Sequence, residues 1–224
     1  MSANNGFAQS GETGLKDAYK DYFSIGVAVN MRNIANPEQI AIIKKNFNSI
    51  TAENDMKPQP TEPAYGQFNW ENADKIANFC RSNGIKLRGH CLMWHAQIGE
   101  WMYKDEKGDF VSKEKLFQNM KHHITAIVER YKDVIYAWDV VNEAISDGGW
   151  QGGRRGMGEQ PSPYRNYPLY QIACDEFIKK AFIYAREADP NVLLFYIFHA
   201  RTVDIVMSLH ADTINGHTFF LHGF

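Results

Sequence analysis

The sequence predicts an α/β protein built on a parallel β-sheet. Three observations favour this class: short apolar runs alternate with amphipathic segments of helical period, their order is βαβαβαβαβ, and no internal repeat interrupts that order. Parallel neighbours joined by helices require right-handed crossovers. Two architectures satisfy these conditions, an open doubly wound sheet and a (β/α) barrel.

The predicted elements follow one another from residue 23. Apolar runs rich in β-branched and aromatic residues predict strands at 23–29, 49–54, 86–94, 135–143 and 192–197. Amphipathic spacing predicts helices at 36–47, 71–84, 112–131 and 169–188. Asn36, Pro37 and Gln39 are typical of a capping-box helix start, Ser112 is a second predicted cap, and Gly84 is a predicted stop.

The first predicted turn favours the barrel over the doubly wound sheet. A dinucleotide-binding fold places a glycine-rich phosphate loop after its first strand. Here the segment "IGVAVNMRN" (25–33) offers one glycine. In either architecture, functional residues collect at the carboxyl ends of the strands.

Composition and charge narrow the function classes. The formal net charge is −2 with no long run of one sign, which does not indicate nucleic acid or an anionic membrane as a partner. No apolar stretch approaches the roughly 20 residues that span a bilayer. Residues 1–14 are polar and predict a flexible lead-in without a signal core, so either the protein stays in the cell or a signal was removed. The three cysteines, in no metal-ligand spacing, are predicted to be buried thiols: Cys80, Cys91 and Cys174.

Polar side chains stand where several predicted strands end. Each has an ordinary structural explanation, such as a core histidine or a surface ion pair, but their coincidence at neighbouring strand ends favours a joint site. After the second, third and fourth strands these residues are Glu53, Asn54, Lys57, His90, Trp94, His95, Gln97, Asn142 and Glu143.

The residue types at these strand ends favour a carbohydrate site. His90 and His95 are five positions apart, which on a strand points their rings to opposite faces, and no metal or other cofactor is predicted. No serine lies in a glycine-flanked elbow and no cysteine has an evident base. Amides and carboxylates hydrogen-bond sugar hydroxyls, and indole rings stack on sugars. Glu143, beside Asn142, is then the predicted acid/base of glycoside cleavage.

Three motifs carry a family resemblance. "WDVVNEA" (138–144), "ITAENDMKP" (50–58) and "LRGHCLMWHAQ" (87–97) stand in order, and residues 25–29 fit a first strand. From about residue 15 to 196 the chain resembles the family 10 glycoside hydrolases, the endo-1,4-β-xylanases. The resemblance implies a TIM-type (β/α)8 barrel, of which about the first five strands are present, and cleavage of β-1,4-xylan with retention.

The resemblance also implies a role for each matching residue. Glu143 would be the general acid/base, and Asn142 would hydrogen-bond the 2-hydroxyl of the sugar at the cleavage point. The same subsite would be lined by His90 and Trp94. The adjacent sugar would be held by Glu53, Asn54, Lys57 and Gln97. The implied partner is xylan or xylo-oligosaccharides, and the resemblance also implies a secreted or periplasmic protein, although the chain shows no signal peptide.

The end of the chain departs from the family pattern. The family needs a second glutamate, on its seventh strand, as nucleophile, and "LLFY" (193–196) would continue "NDYN". Residues 197–224 instead hold four His, no Glu and no Lys. We interpret this tail as a frameshift, a recombined end or a truncated gene, against the alternative of a genuine tail.

The departure leaves the activity open. With no nucleophile found in this chain, we expect an incomplete xylanase of weak or no activity. The alternatives are a non-catalytic xylan-binding remnant, or a related barrel glycosidase that acts on glucan or mannan. The oligomeric state stays open.

Overall fold

The computed structural model describes residues 13–146 and 163–197. In these ranges five parallel strands form one sheet: β1 (Gly26–Val29), β2 (Ser49–Ala52), β3 (Lys86–Trp94), β4 (Ile135–Asn142) and β5 (Leu193–Ile197). Each strand pairs with the next in the chain, in the order β1-β2-β3-β4-β5. A doubly wound sheet reverses its order at a switch point, whereas a barrel does not. The predicted parallel α/β class is confirmed, and the strand order is that of a barrel.

Helices connect the strands and cover the sheet. They are α1 (Leu15–Ala18), α2 (Pro37–Asn46), α3 (Pro58–Thr61), α4 (Glu71–Asn83), α5 (Lys113–Tyr131), α6 (Pro168–Ala173) and α7 (Glu176–Ala188). Single turns of 3₁₀ helix lie at Asn33–Ala35 and Glu100–Met102. In the described ranges, no helix has the length and apolar content that a bilayer crossing requires.

The helix ends show why these segments fold locally. Asn36 Oδ1 accepts from the backbone N–H groups of Glu38 (2.9 Å) and Gln39 (3.2 Å), as predicted for a cap. The predicted capping box is wrong in its second hydrogen bond, which would run from the Asn36 backbone N–H to the Gln39 side chain. Gln39 Oε1 instead accepts from the Asn33 side chain at 2.8 Å. Ser112 caps α5 through Lys115 N at 3.2 Å. Gly84 ends α4 with φ +62°, a conformation that glycine adopts without steric cost.

The predicted helix at 169–188 is two helices. Cys174 has φ +51° and ψ −140°, so the backbone turns between α6 and α7. The apolar spacing runs through this turn because Leu169 and Phe177 are both buried, one from each helix. Periodicity therefore cannot detect the break. Cys174 is exposed at the turn, which contradicts its prediction as a buried thiol; Cys80 and Cys91 are buried as predicted.

β1 and β2 are two or more residues shorter than predicted, and β4 and β5 are each one residue shorter. Phe23 lies before β1, is 54% exposed and stacks on Tyr19 with ring centroids 5.2 Å apart. β2 ends at Ala52, so Glu53 and Asn54 follow the strand instead of extending it. The predictions for residues 1–12 and 198–224 lie outside the described residues, and the proposed boundaries at 14 and 196 stay predictions.

The core lies between the sheet and its helices. Fully buried side chains on the strands include Ile50, Leu87 and Trp138, and each stabilises the fold by about 1.5–3 kcal/mol on burial. A Cβ at Gly89 would lie 2.1 Å from Trp138 Cε3. The bare backbone of Gly89 therefore lets the large indole of β4 pack directly on β3.

Candidate active site

The candidate site is built at the carboxyl ends of neighbouring strands. The register pairs Trp94 at the end of β3 with Asn142 at the end of β4, and Asn142 with Ile197 at the end of β5. Parallel pairing therefore brings residues from distant parts of the sequence to one edge of the sheet.

Glu143 is the first residue beyond β4. Its backbone has φ +55°, an uncommon conformation for a residue other than glycine. Its carboxylate Oε2 accepts a hydrogen bond from Trp94 Nε1 at 3.1 Å and lies 3.9 Å from His95 Nδ1. The side chain is 21% exposed. This carboxylate is therefore oriented by protein groups while still open to a ligand.

A lysine joins the second and third strand ends. Lys57 Nζ donates to Asn54 Oδ1 at 2.9 Å, Gln97 Nε2 donates to the same oxygen at 3.4 Å, and the ammonium lies 4.2 Å from the Trp94 ring centroid. Lys57 is only 7% exposed. Burial lowers the pKa of Lys57, although Cys91, Glu53 and Glu143 act in the opposite direction. The charges of two glutamates of the predicted site thus favour the protonated form of Lys57.

Glu53 is fixed from the first strand end. Its backbone N–H donates to Val29 O at 2.8 Å, and its carboxylate Oε2 accepts from Asn30 Nδ2 at 2.9 Å. Asn30 was not among the sequence-predicted residues. Its position directly after β1 is the signal that would have found it.

Behind the strand ends lies a buried ion pair that the predictions also missed. Arg88 donates to Asp139 Oδ1 from Nε (2.9 Å) and Nη2 (2.6 Å), and His90 Nδ1 lies 2.9 Å from Asp139 Oδ2. Because the carboxylate oxygen is the acceptor there, His90 Nδ1 carries the proton and the ring orientation is fixed. The signal was a charged residue within each of two apolar strands.

Asn142 ends β4 and is 4% exposed. Among the described residues, its Oδ1 finds no hydrogen-bond partner. Buried polar atoms are usually paired, so an open amide oxygen at a strand end marks a position where a ligand can supply the hydrogen bond.

The prediction that His90 and His95 point to opposite faces of a strand fails for His95. β3 ends at Trp94, so strand alternation does not reach His95, and the opposite-face argument does not apply to it. His95 instead stands by Glu143, with its ring centroid 6.1 Å from that of Tyr167. No cluster of three His, Cys, Asp or Glu side chains suited to a metal occurs within residues 13–146 and 163–197.

The structure links most of the predicted residues by direct contacts. Direct contacts around Lys57 and Glu143 link Asn54, Lys57, Trp94, Gln97 and Glu143, and the charge of Glu53 acts on Lys57. Asn142 joins them by pairing with Trp94, and His90 lies four residues earlier on β3, against Asp139. The functional role of each residue stays a prediction.

The strand order and the polar strand ends define the described chain as part of a (β/α)8 barrel. The sequence profile of "Glycosyl hydrolase family 10" matches residues 14–199. The chain belongs to this family of glycoside hydrolases.

Relatives that are named as xylanases agree with the family. The chain is 55% identical over 187 residues to an "Endo-1,4-beta-xylanase/feruloyl esterase" of Xylanibacter ruminicola, covering 82% of this chain and 25% of that protein. It is 42% identical over 206 residues to "Endo-1,4-beta-xylanase A" of Thermotoga maritima, covering 88% of this chain and 18% of that protein.

Solved structures agree as well. A psychrophilic family 10 endo-beta-1,4-xylanase matches with 67% identity and a TM-score of 0.75, over 82% of this chain and 54% of that chain. A xylanase from Paenibacillus barcinonensis, solved with a conduramine derivative, matches with 38% identity and a TM-score of 0.74, over 84% and 53%. The chain thus spans about half the length of these solved xylanases.

Proposed function

We propose that this chain carries the acid/base side of a retaining β-1,4-xylan cleavage site. The observation that carries the proposal is the Glu143 carboxylate at the end of β4, oriented by the Trp94 indole at 3.1 Å and partly open. The names of the xylanase relatives support xylan or xylo-oligosaccharides as the ligand class.

The partly exposed position of the Glu143 carboxylate supports both roles of an acid/base. As a general acid it gives its proton to the leaving glycosidic oxygen, and as a general base it then takes a proton from the attacking water. Retention also needs a nucleophilic carboxylate about 5–5.5 Å from the acid. Near Lys57 and Cys91 the other described carboxylates are Glu53, which accepts from Asn30, and Asp139, which is engaged by Arg88 and His90. We assign neither as nucleophile.

The remaining predicted residues suit the binding of sugar hydroxyls. Lys57, Asn54 and Gln97 form a hydrogen-bonded network beside Trp94, and the charge of Glu53 acts on Lys57. Asn142, with its unpaired Oδ1, and His90, fixed by Asp139, lie on the strands that carry Trp94 and Glu143. Polar groups that are already held in place lose little entropy on binding a ligand.

Calorimetric titration with xylotriose tests the binding part of the proposal. We expect Lys57→Met to weaken binding by about tenfold or more, since it removes a charged donor. Lys75→Met is the matched control, because Lys75 pairs with Glu71 on an exposed face of α4 at 2.6 Å. Absence of xylotriose binding by the parent would contradict the proposal, and tighter binding of cellotriose would favour a glucan-specific site.

Incubation with xylan tests the chemical part. We expect the 224-residue polypeptide to bind xylan without releasing reducing sugar, which is the behaviour of a binding remnant. In a longer version that spans a whole family 10 domain, Glu143→Ala should abolish xylan cleavage but spare the first attack on an activated aryl xyloside, with azide restoring turnover. Equal loss on both substrates would show that Glu143 is not the acid.

A further inference from the structure

We propose that Arg165 is a positioning residue for Glu143, an inference that rests on the proposed acid/base role. Arg165 Nε donates to the backbone oxygen of Glu143 at 3.1 Å, and Arg165 N donates to the backbone oxygen of Ala144 at 2.8 Å. One residue from a later segment thus holds two consecutive peptide groups at the predicted acid.

The backbone at Glu143 needs such support. A left-handed conformation in a residue with a Cβ costs about 1–2 kcal/mol, so it persists where neighbouring contacts fix it. If this peptide relaxed to an ordinary conformation, the Cα–Cβ bond would turn and the carboxylate would leave the Trp94 indole. A fixed carbonyl at Glu143 therefore fixes the direction of its side chain.

The segment after β4 is held from two sides. On one side β5 contributes Ile197 O, which accepts from Glu143 N at 2.9 Å, and Tyr196 Oη, which accepts from Ile145 N at 2.9 Å. On the other side stands Arg165. Strand β5 constrains the amide groups, whereas Arg165 constrains the carbonyl groups, so their contributions are separate and can be tested separately.

Arginine suits this role better than a neutral donor. Arg165 lies near the Tyr167 and Tyr196 hydroxyls, whose pKa values burial raises while the guanidinium charge opposes the shift. Both hydroxyls therefore stay neutral at ordinary pH, and that of Tyr196 accepts a hydrogen bond from the Ile145 backbone N–H. The planar guanidinium also presents its donors in a fixed geometry, which a flexible ammonium does not.

The indole N–H of Trp94 reports the position of the Glu143 carboxylate without any sugar. In protein with ¹⁵N-labelled tryptophan, its signal is assigned by its loss in Trp94→Phe, and its exchange with solvent is measured in the folded protein. We expect Arg165→Met to accelerate this exchange by about tenfold, the effect of losing one hydrogen bond to a charged group. Arg165→Lys keeps the charge and one donor group, and should accelerate it by about two- to fivefold.

A double-mutant cycle separates positioning from general loosening. In a Glu143→Ala background, Arg165→Met and Arg165→Lys should change Trp94 exchange by less than about twofold, since no carboxylate remains to be displaced. Equal acceleration in both backgrounds, or none in either, would overturn the proposal. If Arg165→Met does not fold, Arg165→Lys compared in the parent and in the Glu143→Ala background still decides the question.

Arg186→Met is the matched control. Arg186 also donates to backbone carbonyls, those of Pro190 at 2.7 Å and Val192 at 2.8 Å, but at the end of α7. This variant should leave Trp94 exchange unchanged. Because no step uses a sugar, failure to bind xylotriose would remove the proposed function alone, whereas a negative cycle with normal xylotriose binding would remove only the role of Arg165.

Discussion

Two glutamates in this molecule occupy opposite kinds of surroundings. Glu62 is fully buried: Oε1 accepts from Gly66 N at 2.7 Å and lies 3.1 Å from His122 Nε2, while Oε2 lies 2.9 Å from His123 Nδ1. Glu143 keeps 21% of its side chain exposed, with one indole N–H at 3.1 Å and a histidine at 3.9 Å. A carboxylate whose oxygens are all engaged in the interior stabilises a fold, whereas one held by part of its surface can still meet a ligand.

The surroundings of Glu62 fasten a loop to a helix. The loop between α3 and α4 carries Glu62. The backbone oxygen of Glu62 accepts a hydrogen bond from Trp101 Nε1 at 2.8 Å. Tyr65 of the same loop stacks on His122 of α5 with ring centroids 4.5 Å apart. Since α3 begins directly after Lys57, this buried cluster also supports the segment that carries the lysine of the site.

The largest expected effect is on stability. Glu62→Ala should lower the free energy of unfolding by about 3–5 kcal/mol, because it leaves the buried His123 and the partly exposed His122 without their partner. Glu143→Ala should change it by about 1 kcal/mol or less, since functional groups are seldom optimised for stability. Urea unfolding followed by circular dichroism measures both. Similar losses for the two variants would remove the distinction drawn between these carboxylates.

A second expectation concerns thiol reactivity. In the folded protein a disulfide reagent should modify exposed Cys174 rapidly and buried Cys91 slowly. Burial raises the pKa of Cys91 well above its ordinary value, and the charge of Asp139 adds to this shift, so little reactive thiolate is present. Glu62→Ala should accelerate Cys91 modification strongly by favouring local opening, whereas Glu143→Ala, which only removes one of the charges that raise the pKa of Cys91, should accelerate it less. Acceleration by Glu143→Ala alone would reverse the assignment of the two roles.

A third expectation follows from the pKa of Lys57, which burial lowers from its ordinary value of 10.5. Above the lowered value the folded chain releases its proton before the unfolded chain does, so the unfolded state binds more protons. The Lys57 contribution to stability should therefore rise with pH from the folded pKa towards 10.5, against the falling contributions of Cys91, Tyr167 and Tyr196, whose pKa values burial raises. Melting temperatures across alkaline pH should show this rising component in the parent and in Lys75→Met. In Lys57→Met that component should be missing, and its persistence would mean that another group causes it.

The smallest expected effect is that of a chelator. His90 is held by Asp139 through Nδ1, and we interpret the strand-end residues as sugar-binding groups. EDTA should therefore leave xylotriose affinity unchanged within error. Loss of binding on chelation, restored by zinc, would overturn the carbohydrate interpretation.

The sequence predicted the regular parts of the fold because their signals are local. Alternating apolar periods located all five strands, and the Asn36 cap and the Gly84 stop followed from short-range chemistry. The helix break at Cys174 was not predicted, because buried residues on both sides of the break keep helical spacing. The exposure of Cys174 was not predicted for the same reason.

The site was predicted where its residues follow strand ends, and missed where a pairing spans the chain. Glu143 and Lys57 follow apolar runs that are recognisable in the sequence as strands, so their positions at strand ends could be predicted. By contrast, Arg88 meets Asp139 across 51 positions, and Arg165 meets Glu143 across 22. Such partners become evident only when the register of two strands or the course of a later segment is known.

The close packing of Gly89 on Trp138 constrains the order in which these two positions can be substituted. Any side chain at position 89 collides with the indole while Trp138 is present, so a first step at 89 is blocked. A smaller residue at 138 must come first, at the cost of a cavity of several kcal/mol. The two positions therefore form an epistatic pair with one permitted mutational path. In a library randomised at both, alanine at 89 should survive only beside small side chains at 138.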